Sequence, residues 1–285
     1  MKIFKHLKDP VYVRRPGQIL RRLLYSMYSL RGDVEAPLPW GDRLKVRAEE
    51  TNGRTILERG LDQLTVVEAC IRLMDPGGVA VDVGANYGQM ALALAYGARP
   101  DGTVYAFEPH SYLFEYLEHN AREYSGIIPI EKATSEQAGT FTLHVPRTWQ
   151  SDAGVSSLNP DFRKDTCGVE VETTSLDSAF GKSETINVLK VDVEGHEDKV
   201  FAGGKTLLSD GRVENIIFEE HNYAQSSAVN VLEEDGYRLF TIEKTLSGPE
   251  LVDPRSGKKD YIATLDQKNC RQRFEGEGWE ALGEH

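Results

Sequence analysis

Two runs constrain this chain more than anything else in it. Val79-Ala-Val-Asp-Val-Gly-Ala-Asn-Tyr-Gly88 starts as an apolar strand, stops in a glycine turn and opens a helical pattern. Leu189-Lys-Val-Asp-Val-Glu-Gly-His-Glu197 repeats strand-then-turn well downstream, with acids where the first has glycines. A buried strand that ends in a turn leading to a helix is the unit of a doubly wound parallel sheet, which holds ligands outside the carboxyl ends of its strands. The residues just after each strand are therefore the candidates for chemistry.

The order of periodic segments extends that reading. From position 79 the pattern predicts strand 79–83, helix 87–98, strand 103–108, helix 111–124, strand 127–132, strand 186–192, helix 196–208, strand 213–219, helix 225–235, and strands 237–242 and 260–265. Such alternation gives an α/β, Rossmann-like, mostly parallel sheet covered by helices on both faces. The last two strands have only a turn-rich segment between them, so they should pair antiparallel as a C-terminal hairpin at the sheet edge. Residues 139–181 break the alternation. Phe141, Leu143 and Val145, then Val169 and Val171, suggest extra strands in an insertion placed to enclose a substrate. The division that follows is a helical N-terminal extension (1–75), a ligand-binding domain with its insertion (76–270) and a C-terminal tail (271–285).

With 285 residues, 40% of them hydrophobic, the chain can bury a large core. Its net charge of −12 argues against a sequence-independent nucleic-acid binder, which needs clustered Lys and Arg, and favours a small or neutral substrate. Cys70, Cys167 and Cys270 are spaced for neither a disulfide framework nor zinc, which suits a reducing, cytoplasmic setting. No apolar run approaches the ~18–20 residues of a membrane span, and no uninterrupted signal-peptide core is present. The N-terminal segment 1–31 differs from the rest. Lys2, Lys5, Lys8, Arg14, Arg15, Arg21, Arg22 and Arg31 stand there against one acid, Asp9. Ile19, Leu20, Leu23, Leu24, Met27 and Tyr28 fall on one helical face with Arg21 and Arg22 turned away, predicting an amphipathic helix over 17–30. Either its apolar face packs on its own domain or a second subunit in a homo-oligomer, or it lies on an anionic membrane or a partner.

After the first strand, Gly84 and Gly88 let backbone approach a ligand, Ala85 and Asn86 lie between them, and Asp82 sits at the strand end, placed to contact that ligand. Glu108 closes the second strand, one helix and one strand downstream of Gly84, where a carboxylate accepts both ribose hydroxyls. Dinucleotide enzymes share that acid but want Gly-x-Gly-x-x-Gly, and here the middle glycine is missing. A turn that holds one nucleoside and no pyrophosphate suits S-adenosylmethionine better than a nicotinamide cofactor. Thr134 and Ser135 follow the third strand and could border the adenine or form a surface turn. Asp192, Glu194, His196 and Glu197 cluster after the fourth, and Glu219, Glu220 and His221 after the fifth.

Asp82-Val-Gly-Ala-Asn-Tyr-Gly88, Ala106-Phe-Glu-Pro109, Asn120, Ser175-Leu-Asp177, Lys190-Val-Asp-Val-Glu-Gly-His-Glu197 and Phe218-Glu219 together resemble the FkbM-type S-adenosylmethionine-dependent methyltransferases over about residues 79–222. The resemblance implies a class I methyltransferase fold and, commonly, O-methylation of a hydroxyl on a sugar, glycolipid or secondary metabolite. An in-line methyl transfer to an alcohol needs alignment and removal of a proton. Asp192 and Glu194 are expected to orient acceptor and cofactor, with His221 or His196 as base. In a variant mechanism Asp192, Glu219 and His221 bind Mg²⁺. The rivals are a nicotinamide oxidoreductase and a non-catalytic cofactor-binding protein that docks through its basic helix.

Overall fold

The computed structural model describes residues 9–27, 30–161, 163–181, 184–220, 223–254 and 259–283, with backbone alone at 26, 27 and 150. A hairpin of β1 (Asp33–Pro37) and β2 (Arg43–Arg47) precedes the main sheet. Then come β3 (Val79–Val83), β4 (Thr103–Phe107), β5 (Ile127–Ile130), β6 (Ala133–Thr134), β7 (Gly139–Pro146), β8 (Thr166–Thr174), β9 (Ile186–Val191), β10 (Val213–Glu219), β11 (Arg238–Lys244), β12 (Pro249–Val252) and β13 (Asp260–Thr264). Eight of these form one sheet in the order β12-β11-β13-β10-β9-β3-β4-β5.

The run from β10 through β9, β3 and β4 to β5 is parallel. Each of these strands alternates its side chains between two apolar layers. Ala80, Val104, Val188 and Ile217 face the layer shared with helices Leu64–Leu73 and Gln89–Gly97, while Val81, Phe107, Leu189 and Ile216 face the layer that holds Phe201 and Leu208. Such two-sided burial makes β3 and β9 read as apolar runs rather than as alternating strands.

The C-terminal end departs from the expectation in position. β11 and β13 do pair antiparallel, Phe240 opposite Ile262, but β13 inserts between β10 and β11 instead of lying at the edge. Tyr261, Ile262, Ala263 and Thr264 are all buried, so β13 needs a neighbour on each side and cover on each face. The turn-rich segment supplies an unexpected edge strand, β12. The helix expected over 196–208 is two, Glu197–Gly203 and Lys205–Ser209, broken at Gly204.

The N-terminal extension, 1–75, is not purely helical, since it contains the β1–β2 hairpin, and it shares the core of the main sheet. Val11, Leu38, Leu44, Val46, Ile56 and Leu57 are buried in the same cluster as Ala80 and Val104. Asn120, buried near the end of helix Ser111–Ala121, ties the hairpin to the ligand loop. Its Oδ1 accepts from Lys45 N (2.8 Å), and its Nδ2 donates to Lys45 O (3.0 Å) and Tyr87 O (2.8 Å). The tail is likewise docked: Glu68, fully buried, accepts from the amides of Glu280 (3.1 Å) and Ala281 (2.8 Å). The insertion adds β7 and β8 to β6 in a three-stranded sheet, β6-β8-β7, with a small core of Ala133, Leu143, Val145 and Val171.

Candidate active site

Strand tips β3, β4 and β9 converge on one cleft, and glycine permits the approach. Gly84 has φ +77°, and a Cβ there would lie 2.0 Å from the carbonyl of Asp192, so no other residue fits where β3 and β9 nearly touch. The loop then turns through Asn86, a non-glycine residue at φ +53°, stabilised because its N–H donates to Glu108 Oε2 (2.8 Å). The other oxygen, Oε1, accepts from His110 N (2.9 Å). Glu108 is thus a buried carboxylate fixed by two backbone amides. Burial still raises it to about 7, the amides opposing. Each oxygen keeps a further lone pair for a hydroxyl donor. On the same wall Thr134 is buried with its hydroxyl unpartnered, an orphan that a bound ligand would satisfy. These residues fit a nucleoside with a free ribose diol, as S-adenosylmethionine has.

Beneath the loop, Lys190 is 3% exposed. Its Nζ donates to Gly84 O (3.0 Å) and pairs with Asp82 (3.2 Å) and Asp192 (3.8 Å). Burial alone would depress this ammonium, but the two carboxylates raise it above its ordinary value. Here the structure corrects an expectation. Asp82 does not reach the cleft; it is fully buried behind Lys190 and acts on the site through that cation. Gly88 is also off the cleft wall. At φ +93° it starts helix Gln89–Gly97, and a Cβ there would sit 2.9 Å from Leu117 Cδ1.

The β9 tip is organised differently. Asp192, Glu194 and His196 line the cleft. Glu194 has φ +54°, and burial first, then repulsion from Asp192, Glu219 and Glu197, raises it to about 7. Glu197 faces away from the cleft and holds the loop, its Oε1 accepting from Val193 N and Gly195 N (both 3.3 Å); burial raises it to about 7 as well. Burial lowers His196, leaving the ring neutral near pH 7. Its Nε2 lies 3.0 Å from Ser135 Oγ. Ser135 is therefore a holder of His196, not a residue of the cleft wall. His221 lies outside the described residues. Glu219 pairs with Lys259 (3.1 Å), and among the described residues no group of three His, Cys, Asp or Glu side chains is arranged to hold a metal ion.

Several cleft residues escaped the sequence reading. Asn52 and Ile56 come from helix Thr51–Arg59, and Asp62 precedes helix Leu64–Leu73. Asp62 is locked to Gln89 by reciprocal bonds, its N–H donating to Oε1 (2.8 Å) and Nε2 donating to its carbonyl (3.0 Å). Residues 153–158 of the insertion line the cleft and reach the β9 loop. Ser157 Oγ donates to Glu194 O (2.8 Å), and Thr51 Oγ1 donates to Ser151 O (3.0 Å), so insertion, extension and β9 loop are joined over the site. Local hydrophobic period carries no sign of these long-range bonds. The Lys-x-Asp spacing of 190 and 192 was the one available signal for Lys190, since on a strand it puts both side chains on one face.

Five parallel strands in this order, an antiparallel strand inserted beside the last of them, a glycine turn after β3 and an amide-held carboxylate after β4 define the class I methyltransferase fold. The chain belongs to the FkbM methyltransferase family, whose domain model matches residues 82–239. It is 29% identical over 160 residues to the hexuronic acid methyltransferase AglP of Haloferax volcanii, covering 55% of this chain and 61% of that protein. It is 26% identical over 171 residues to the 2-O-methyltransferase NoeI of Sinorhizobium fredii, covering 55% of this chain and 70% of that one. Among solved structures, an FkbM methyltransferase from Methylobacillus flagellatus KT aligns with a TM-score of 0.43 and 16% identity, over 67% of this chain and 44% of that one.

Proposed function

We propose that the protein methylates a hydroxyl of a sugar with S-adenosylmethionine. The observation that carries this reading is the pairing, across one cleft, of amide-held Glu108 with the Asp192, Glu194 and His196 group. The names of the AglP and NoeI relatives support a sugar acceptor. A nicotinamide oxidoreductase fits less well, because the turn lacks the middle glycine that admits a pyrophosphate and the sheet carries the inserted antiparallel β13.

S-adenosylmethionine, when bound, supplies a methyl group on a positively charged sulfur. Everything else falls to the chain. Glu108 anchors the ribose diol and Thr134 offers its orphan hydroxyl at the nucleoside end. Asp192 and Glu194 orient the acceptor hydroxyl, and neutral His196, held by Ser135, takes its proton as the new O–C bond forms and the C–S bond breaks. The acceptor end is acidic. Asp62, Asp192 and Glu194 line the cleft against two lysines, Lys190, shared between Asp82 and Asp192, and Lys132, in an exposed pair with Glu172 at 3.0 Å. An acceptor without negative charge therefore suits it better than a uronic acid.

The test is product mass after incubation with S-adenosylmethionine and a neutral hexoside, beside the matching hexuronide. The expected result is a gain of one methylene on the neutral sugar at least tenfold faster, retained in excess EDTA and abolished in Asp192→Ala. No methylated sugar from a folded, cofactor-binding protein would overturn the acceptor class. Loss of activity in EDTA and its return with Mg²⁺ would instead favour the metal variant through Asp192, Glu219 and His221.

A further inference from the structure

Helix Gly17–Met27 packs on its own domain through Tyr25, which lies against the main core, and through polar side chains beside it. Gln18, 7% exposed, is pressed against Gly60, where a Cβ would come 2.7 Å from its Nε2. Arg22 donates to Tyr12 Oη (2.7 Å) and pairs with Glu58 (3.8 Å). Its outward side is apolar, with Leu20 62% exposed, Leu23 46% and Leu24 45%. Just before the helix Val13 is also exposed, and the Arg14 guanidinium donates to the carbonyl of Leu246 (2.8 Å from Nη2), itself an exposed apolar residue. Three of the eight exposed large apolar side chains among the described residues, Leu20, Leu23 and Leu24, thus share one helix face, with Val13 just before it in the chain, so the exposure is a stripe and not scatter. The sequence allows the leucines to pack on their own domain; the structure turns them to solvent.

We propose that this helix seats the protein on an anionic bilayer surface, leucines in the acyl boundary and arginines at the headgroups. Charge selects that occupant. In a chain of net charge −12, the segment 1–31 holds eight Lys and Arg against Asp9; Arg22 is taken up inward by Glu58, while Arg21 stands at the edge of the leucine stripe and Arg14 just before the helix. An amphipathic helix with apolar residues on one side and basic residues at its flanks is the form that lies in an interface. A second copy of the chain is a poor occupant. Eleven residues at ~1.5 Å each present a stripe ~16 Å long and one helix wide, far below the ~800 Å² per partner of a stable dimer.

Flotation with vesicles tests this without any methyl acceptor. The full chain should float with phosphatidylcholine–phosphatidylglycerol vesicles, at least tenfold more than with phosphatidylcholine alone, and less as salt rises. The pair Leu20→Glu with Leu24→Glu should lose at least tenfold of that binding with an unchanged melting temperature. Val169→Glu, at an equally exposed site on β8, should bind as the unmodified chain does. No flotation, or flotation unaltered in the double variant, overturns the proposal. So does a dimer by light scattering that the double variant dissolves, which would assign the face to a second copy.

Discussion

At the tip of β4 a carboxylate meets backbone amides; at the tip of β9 carboxylates meet one another. Glu108 has both oxygens fixed at 2.8 and 2.9 Å, one by Asn86 of the glycine turn after β3 and one by His110 just beyond β4. Asp192, Glu194 and Glu197 follow one another closely in the chain, and their crowding adds to burial in raising Glu194. The difference teaches what each end is built to do. On the proposed reading, amide dipoles oppose the rise that burial gives Glu108 and aim its oxygens at a neutral diol, whereas neighbouring acids add to the rise of Glu194 beside a neutral imidazole, where a proton can move near pH 7. Lys190 joins the two, with one bond to the β3 loop and one charge partner in each of Asp82 and Asp192.

The sharpest way to break the contrast is to remove that link. Lys190→Met leaves Asp82 fully buried without its cation, a loss of about 3–5 kcal/mol on unfolding by denaturant. Adding Asp82→Asn should restore much of it. A single variant as stable as the unmodified chain would show that the two ends are independent. Next in size, His196→Ala should lower kcat by about a hundredfold while S-adenosylhomocysteine affinity stays within a factor of two. Equal losses in both would move His196 to the binding end.

The smallest effect separates the ends by pH. Burial and repulsion lift Glu194 from 4.5 to about 7, so the folded chain binds this proton more tightly than the unfolded chain does. The stability it contributes is complete below about pH 4.5 and is lost as pH rises through about 7. Glu197 and Glu108 act in the same direction, and His196, lowered by burial, acts against them. Glu194→Gln should therefore flatten the fall in denaturant-measured stability between pH 5 and pH 7. An unchanged slope would place the titration elsewhere.

Much of this was legible before the structure. β3, β4, β9 and β10 announce themselves because strands covered on both faces are short apolar runs, and the turns after them carry Gly84, Glu108 and Asp192 in plain order. What was not legible is non-local. Nothing in Asp260–Thr264 says that it slides between β10 and β11, because that choice is made by burial on both sides. Asp82 reads as a strand-end ligand and is instead a partner of Lys190, since residue spacing does not reveal which side of the sheet edge a side chain occupies. Asn52 and Asp62 reach the cleft through the packing of an extension that carries no motif. The helix at 17–27 was legible as amphipathic; which face turned outward was not.

Everything proposed for the cleft depends on amide-held Glu108 anchoring a single nucleoside. Titration calorimetry with S-adenosylhomocysteine on the unmodified chain and on Glu108→Ala tests it most directly. Binding that weakens by tenfold or more in the variant, at a temperature where both proteins are cooperatively folded although the variant melts lower for want of the Asn86 and His110 bonds, is the result expected from losing a charge-assisted bond of about 1.5–3 kcal/mol. A well-folded chain that releases no heat with this ligand, or a variant that binds as tightly as its parent, would contradict it.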